Sequence, residues 1–178
     1  MPPSPIRVVL VMGVAGSGKT TVGQALARRL TAATTHRWTF ADADDLHAPT
    51  ALAAMGRGEP LTDADRAPWL ARLGALVRER LGGGDALVLA CSALRAAYRE
   101  AISADDPRVA VVWLDAPPDR LAARLTARLA EDRSNPVGPS LLPSQLATLE
   151  PPTDALRLDA TLPVEALVRA AEALVCRP

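Results

Sequence analysis

Strands alternating with helices predict an α/β fold, a parallel sheet covered by helices on both faces. Three observations carry this reading. Ile6–Met12 is a continuous apolar, β-branched run, as a strand buried on both faces requires. A glycine-rich turn, Gly13–Thr20, follows it directly. Lys19–Leu30 then has helical spacing, with Val22, Leu26 and Leu30 on one face.

The remaining elements follow in order. Met1–Pro5 is a proline-rich tail. Thr39–Ala41 is a short second strand ending in Asp42, and Pro49–Met55 a short helix. Leu61-Thr62-Asp63-Ala64-Asp65 resembles a capping box, opening a helix that runs to about Leu81, where Gly82-Gly83-Gly84 stops it. Ala86–Cys91 is the third strand, and Ser92 can cap a helix reaching Ile102. Val109–Leu114 is the fourth strand and Pro118–Ala130 a helix; residues 131–140 read as a loop. A short helix near Pro143–Leu149, a brief fifth strand at Arg157–Asp159 and a closing helix at Val164–Val175 complete the chain. There is no internal repeat. With 178 residues the chain suits one α/β domain, spanning 1–178.

Composition narrows the function. Lysines plus arginines number 20 and acids number 20, a formal charge of zero, which argues against nucleic-acid or membrane-surface partners. Aromatics are only 3% of a chain that is 49% apolar, so Leu, Val and Ala fill the core. Cys91 and Cys176 form no CxxC pair and imply neither a disulfide framework nor a zinc site, which fits a reduced, cytoplasmic protein. The run Ile6–Met12 is too short to span a membrane, and no signal-peptide pattern is read.

Gly13-Val14-Ala15-Gly16-Ser17-Gly18-Lys19-Thr20 matches G-x-x-x-x-G-K-[ST] at every fixed position, with a strand before and a helix after. Such a loop curls backbone N–H groups around phosphate oxygens at a positive helix end. Lys19 then reaches the β- and γ-phosphates and the Thr20 hydroxyl holds Mg2+, with Thr21 beside it. These residues predict ATP binding in a P-loop NTPase. A GTPase should carry Asn-Lys-x-Asp and Asp-x-x-Gly; the single asparagine, Asn135, precedes proline, and Asp-x-x-Gly is absent. A motor-type ATPase needs a longer chain. A small-molecule or nucleotide kinase remains.

Asp42, Asp44 and Asp45 crowd the end of the second strand, where open α/β sheets bind ligands. Clustered acids need a cation or hydroxyl donors. In a phosphoryl-transfer site one can hold a magnesium water while another accepts the acceptor's hydroxyl proton. Asp42 is assigned to the metal and the acceptor hydroxyl, and Asp44 to the substrate or metal shell. His47 reads equally as a helix cap or a ligand. Asp115, ending the fourth strand, looks like a Walker B acid but is read as a helix cap.

Phe40–His47 with the phosphate loop, then Gly58–Leu70 (Gly-Glu-Pro-Leu-Thr-Asp-Ala-Asp-Arg-Ala-Pro-Trp-Leu), closely resembles gluconokinases of the small P-loop type. Cys91-Ser92-Ala93-Leu94-Arg95 with Tyr98-Arg99, and Ser144-Gln145-Leu146-Ala147-Thr148-Leu149-Glu150, resemble them too. The resemblance covers nearly the whole chain. It implies an adenylate-kinase-like fold with strand order 2-3-1-4-5, a mobile lid (about 129–143), ATP, Mg2+, and conversion of D-gluconate to 6-phosphogluconate by a homodimer. Gluconate wants a guanidinium fork for its carboxylate and acids for its hydroxyls; Arg66 and Arg95 could both face the cleft. Trp69 is read as packing. Arg124 and Arg128 lie four apart on one helix face; by resemblance one packs on adenine and the other reaches the phosphates as the lid closes. Asp159–Pro163 resembles the loop along the adenine.

The sequence departs from the family in the lid. Gluconokinases usually carry a His-Phe pair there, and Glu131–Gly138 instead places Asn135 and Pro136 at those positions, with Arg133 nearby. The readings to be weighed against gluconokinase are a shikimate-type small-acid kinase and a nucleotide-binding regulator without turnover.

Overall fold

The computed structural model describes residues 6–131 and 138–176. Five parallel strands form one sheet in the order β2-β3-β1-β4-β5, as the resemblance implies. They are β1 (Val8–Met12), β2 (Trp38–Asp42), β3 (Ala86–Ala90), β4 (Val109–Asp115) and β5 (Leu156–Asp159). β1 lies at the centre, with Val8 opposite both Leu87 and Val109. Every residue of β1 and β3 is buried. That is why both read as unbroken apolar runs instead of alternating ones.

Successive side chains of β1 feed opposite faces. Val9 and Val11 pack with Val22, Leu26 and Leu30 of α1 (Lys19–Ala33) and with Leu121 and Leu125 of α5 (Pro118–Glu131). Leu167 and Val168 of α7 (Val164–Val175) join the same cluster. Val8, Leu10 and Met12 pack with Trp69, Leu73 and Val77 of α3 (Asp63–Gly82). Each of these side chains contributes about 1.5–3 kcal/mol on burial. The two layers fix β1, and with it the loop at its carboxyl end.

Local chemistry sets the element ends. The expected capping box is present: Asp65 N–H donates to Thr62 Oγ1 and the Thr62 N–H donates back to Asp65 Oδ2 at 2.9 Å. Such a cap contributes about 1 kcal/mol. Gly83 ends α3. α2 (Pro49–Gly56) and α6 (Leu142–Thr148) are short.

Two expectations are corrected. Ser92 does not cap the next helix. α4 (Ala96–Ala101) starts later, at the N-cap residue Arg95, because Ala93 turns the chain at φ 44°. Asp115 does not act as a cap either. Its Oδ2 accepts two bonds from Arg157 of β5, at 2.6 and 3.0 Å. β1 and β2 also differ slightly from their expected starts: β1 begins at Val8, two residues after Ile6, and β2 at Trp38, one residue before Thr39, ending in Asp42 as expected. Among the described residues no helix is long and apolar enough to cross a membrane.

Candidate active site

The carboxyl ends of β1, β2 and β3 open onto a cavity of about 680 Å³. Its floor is the phosphate loop. Gly13 adopts φ 147°, and a Cβ there would meet Leu114 O at 2.5 Å, so only glycine lets the loop leave β1 at this angle. Gly18, at φ 92°, is the N-cap of α1 and provides no side-chain cap. The first N–H groups of α1 are therefore left for a ligand, at the positive end of the helix. Ala15, Gly16, Gly18, Lys19, Thr20 and Thr21 line the cavity. Gly13, Val14 and Ser17 do not. They shape the loop from behind, with Ser17 buried and its N–H donating to Val14 O at 3.2 Å.

Thr20 and Asp42, the two residues expected to hold a metal, lie side by side. Thr20 Oγ1 donates to Asp42 Oδ2 at 2.7 Å, and the other Asp42 oxygen accepts the Asp44 N–H at 3.1 Å. Lys19 Nζ donates to Val14 O at 3.1 Å. Burial lowers the Lys19 pKa, opposed by the charges of Asp44 and Asp42. Burial raises the Asp44 carboxyl above the usual range; Lys19 opposes this, and Asp42 and Asp45 reinforce it. Burial thus works against the charged form of both groups, and each is partly offset by the other's charge. Cys91 lies close by, but burial pushes its thiol up to about 12, which makes it inert.

His47 is the C-cap residue of the 3-10 turn Ala43–Leu46, its N–H donating to Asp44 O at 3.2 Å, and it also lines the cavity. Ala48, not His47, is the N-cap residue of α2, and the His47 ring stacks on Trp69 with centroids 4.3 Å apart and planes 8° from parallel. Trp69 is anchored by its own N–H to Ala43 O at 2.7 Å, so it is packing, as expected. Burial, then the charges of Arg66 and Arg72, lowers the His47 pKa to about 4. The ring is neutral at neutral pH, and its Nδ1 is buried with no hydrogen-bond partner among the described residues.

The two candidate carboxylate arginines separate. Arg66 lines the main cavity, and its charge acts on His47. Its Nη1 donates to Leu61 O, and Asp63 lies 3.8 Å away. Arg95 lines only an adjoining cavity of about 270 Å³, where it pairs with Asp63 Oδ2 at 2.7 Å. Tyr98 also donates to Asp63, and both guanidiniums sit over the Tyr98 ring at 5.6 and 5.7 Å. Arg124 and Arg128 both line the main cavity from α5. Arg124 Nη2 donates to Ala160 O at 2.7 Å, tying α5 to the 159–163 loop. The charge of Arg128 acts on Lys19 and Asp44. Arg133, Asn135 and Pro136 lie outside the described residues.

Sequence reasoning assigned no role to Asp63, Gln145 or Glu150. Asp63 gathers Arg66, Arg95 and Tyr98. Gln145 Oε1 accepts the Ala15 N–H at 2.6 Å, across 130 positions of chain. Glu150 Oε2 accepts the Ala96 N–H at 2.7 Å. The signal was their place inside the Gly58–Leu70 and Ser144–Glu150 strings.

Comparison with known proteins bears on this geometry. A family model described as an AAA domain matches residues 8–152. A gluconokinase from Gluconobacter oxydans is 48% identical over 148 residues, covering 83% of this chain and 78% of its own. The chain belongs to the gluconokinase family. A solved gluconokinase from Sinorhizobium meliloti superposes with a TM-score of 0.78 at 37% identity, over 97% of this chain and 93% of that one. An unliganded sugar kinase from Janibacter gives 0.80 at 37%, over 96% and 94%. A gluconokinase-family chain therefore presents its phosphate loop, its acid cluster and Arg66 to one cavity.

Proposed function

We propose that this protein transfers the γ-phosphoryl group of ATP to D-gluconate, giving 6-phospho-D-gluconate. The observation that carries the reading is the single cavity in which the phosphate loop, Asp42, Asp44, His47 and Arg66 meet. Gluconate has a carboxylate at one end and a primary hydroxyl at the other. Arg66 supplies a charged donor for the carboxylate, and Asp44 and His47 supply polar partners for hydroxyls. Arg95, already held by Asp63, supports Arg66 from behind.

Thr20 and Asp42, a hydroxyl and a carboxylate 2.7 Å apart, fit a hard cation that takes oxygen ligands. Bound Mg2+ would neutralise charge on the β- and γ-phosphates. The loop N–H groups and Lys19 hold those phosphates, Lys19 turning from Val14 O toward them. Two observations support dividing the roles of the acids. Both Asp42 oxygens are already engaged, whereas Asp44 faces the cavity with its carboxyl raised by burial. Asp42 keeps the metal, and the proton of the attacking hydroxyl, which the sequence reading gave to Asp42, is reassigned to Asp44, since a raised pKa makes a better base. Arg124 and Arg128 close over adenine and phosphates from α5. We further infer one kinase domain over 1–178 with its lid at about 129–143, working as a homodimer in the cytoplasm; these rest on the family resemblance.

ADP release with gluconate, shikimate, glucose and no acceptor tests the reading. Gluconate should be the best acceptor by a wide margin. A preference for shikimate, or release that no acceptor stimulates, would overturn it.

A further inference from the structure

We propose that Gln145 is a positioning residue for the terminal phosphate of ATP, donating its carboxamide N–H to that group within the main cavity. The proposal rests on the kinase reading but not on the identity of the acceptor. A backbone N–H can only donate, so the atom 2.6 Å from Ala15 N is the carboxamide oxygen. This fixes the amide orientation and turns Nε2 away from the loop. Nε2 makes no hydrogen bond among the described residues. Gln145 is half-buried and lines both the main cavity and the adjoining one that holds Arg95 and Asp63.

Its place in the main cavity identifies the ligand atom. The β-phosphate belongs at the start of α1, where the uncapped N–H groups point. Ala15 stands before that point in the loop and lines the cavity. The only part of the nucleotide that must face the acceptor is the γ-phosphate, and Gln145, held at Ala15, lines the same cavity as Asp44, His47 and Arg66, so its donor meets that group. The support is rigid at both ends. α6 is fixed to the phosphate loop by Gln145 and to the β3–α4 turn by Glu150, whose Oε2 accepts the Ala96 N–H and whose N–H donates to Leu94 O at 2.8 Å. α6 therefore links the nucleotide side to the turn that carries Arg95.

The test compares Mg2+-bound AMPPNP with Mg2+-bound ADP, which differ at the terminal group. Dissociation constants are measured by calorimetry for wild type, Gln145→Met and Gln145→Glu. Methionine keeps the length and removes the donor; glutamate keeps the acceptor for Ala15 N–H and loses the donor. The expected result is that AMPPNP weakens relative to ADP by about tenfold in Gln145→Met and by more in Gln145→Glu, where charge adds repulsion. A wild-type AMPPNP-to-ADP ratio in Gln145→Met, with or without a lower melting temperature, would show a mere anchor and overturn the proposal. If Gln145→Met does not fold, a wild-type ratio in Gln145→Glu overturns it equally. Wild-type turnover of gluconate reads the kinase assignment separately, because neither nucleotide measurement involves an acceptor.

Discussion

The nucleotide half and the acceptor half of the cavity are built from different materials. The nucleotide half is backbone: a glycine loop and an uncapped helix start, hung on a strand with no exposed residue. The acceptor half is long side chains that hold one another: Asp63 binds Arg95 and Tyr98 and stands 3.8 Å from Arg66, and His47 lies on Trp69. Backbone held by a packed core cannot rearrange cheaply. Ion pairs at partly exposed side chains are worth only about 0–1 kcal/mol and exchange readily. One half is thus preformed for phosphate, and on the proposed function the other can trade internal partners for a substrate.

The comparison predicts where damage is greatest. Lys19→Ala removes the one lysine of the preformed half, so turnover should fall by at least about a hundredfold while the fold survives; steady-state kinetics with circular dichroism check both. Near wild-type turnover would mean that this half does not carry the chemistry. Asp44→Asn and Asp42→Asn sharpen the boundary between the halves. Asp44→Asn should lower kcat by roughly a hundredfold with ATP affinity nearly intact, whereas Asp42→Asn should also change the Mg2+ dependence. If Asp44→Asn is mild and Asp42→Asn alone abolishes kcat, Asp42 is both metal ligand and base.

A smaller effect belongs to the acceptor half alone. The folded pKa of His47 is depressed to about 4 from an ordinary 6.5. Between those values the unfolded chain binds the extra proton, so the stability His47 contributes is present above about pH 6.5 and is lost as pH falls toward 4. His47→Gln should flatten the acid side of the melting-temperature profile over that window. An unchanged profile would mean that His47 titrates normally in the folded protein.

The two halves were also unequally legible. The phosphate loop is written in consecutive residues with a mechanical reason for each, so Gly13–Thr20 read directly as a nucleotide site. The sheet core was readable for the same reason: β1 and β3 are buried on both faces and uniformly apolar. Features that depend on distant partners were not. Asp115 looks like a cap until β5 places Arg157 diagonally across from it. Ser92 looks like a cap until Ala93 turns the chain away. Gln145 meets Ala15 across 130 positions, and nothing local to α6 points there. Arg66 and Arg95 are alike in sequence, and only the fold shows that both reach Asp63 while Arg66 lines the main cavity and Arg95 the adjoining one.

The central claim is that Arg66 reads the acceptor's carboxylate from the rearrangeable half. Its most direct test is the ratio of kcat/KM for gluconate to that for glucose in wild type, Arg66→Met and Arg95→Met. The account predicts a wild-type preference of about a hundredfold or more, since glucose offers Arg66 no carboxylate in exchange for its internal partners. It predicts that Arg66→Met lowers that ratio by tenfold or more (about 1.4 kcal/mol), chiefly through KM for gluconate, and that Arg95→Met lowers it less. Equal wild-type rates for the two sugars, or a ratio that survives Arg66→Met and collapses in Arg95→Met, would contradict it.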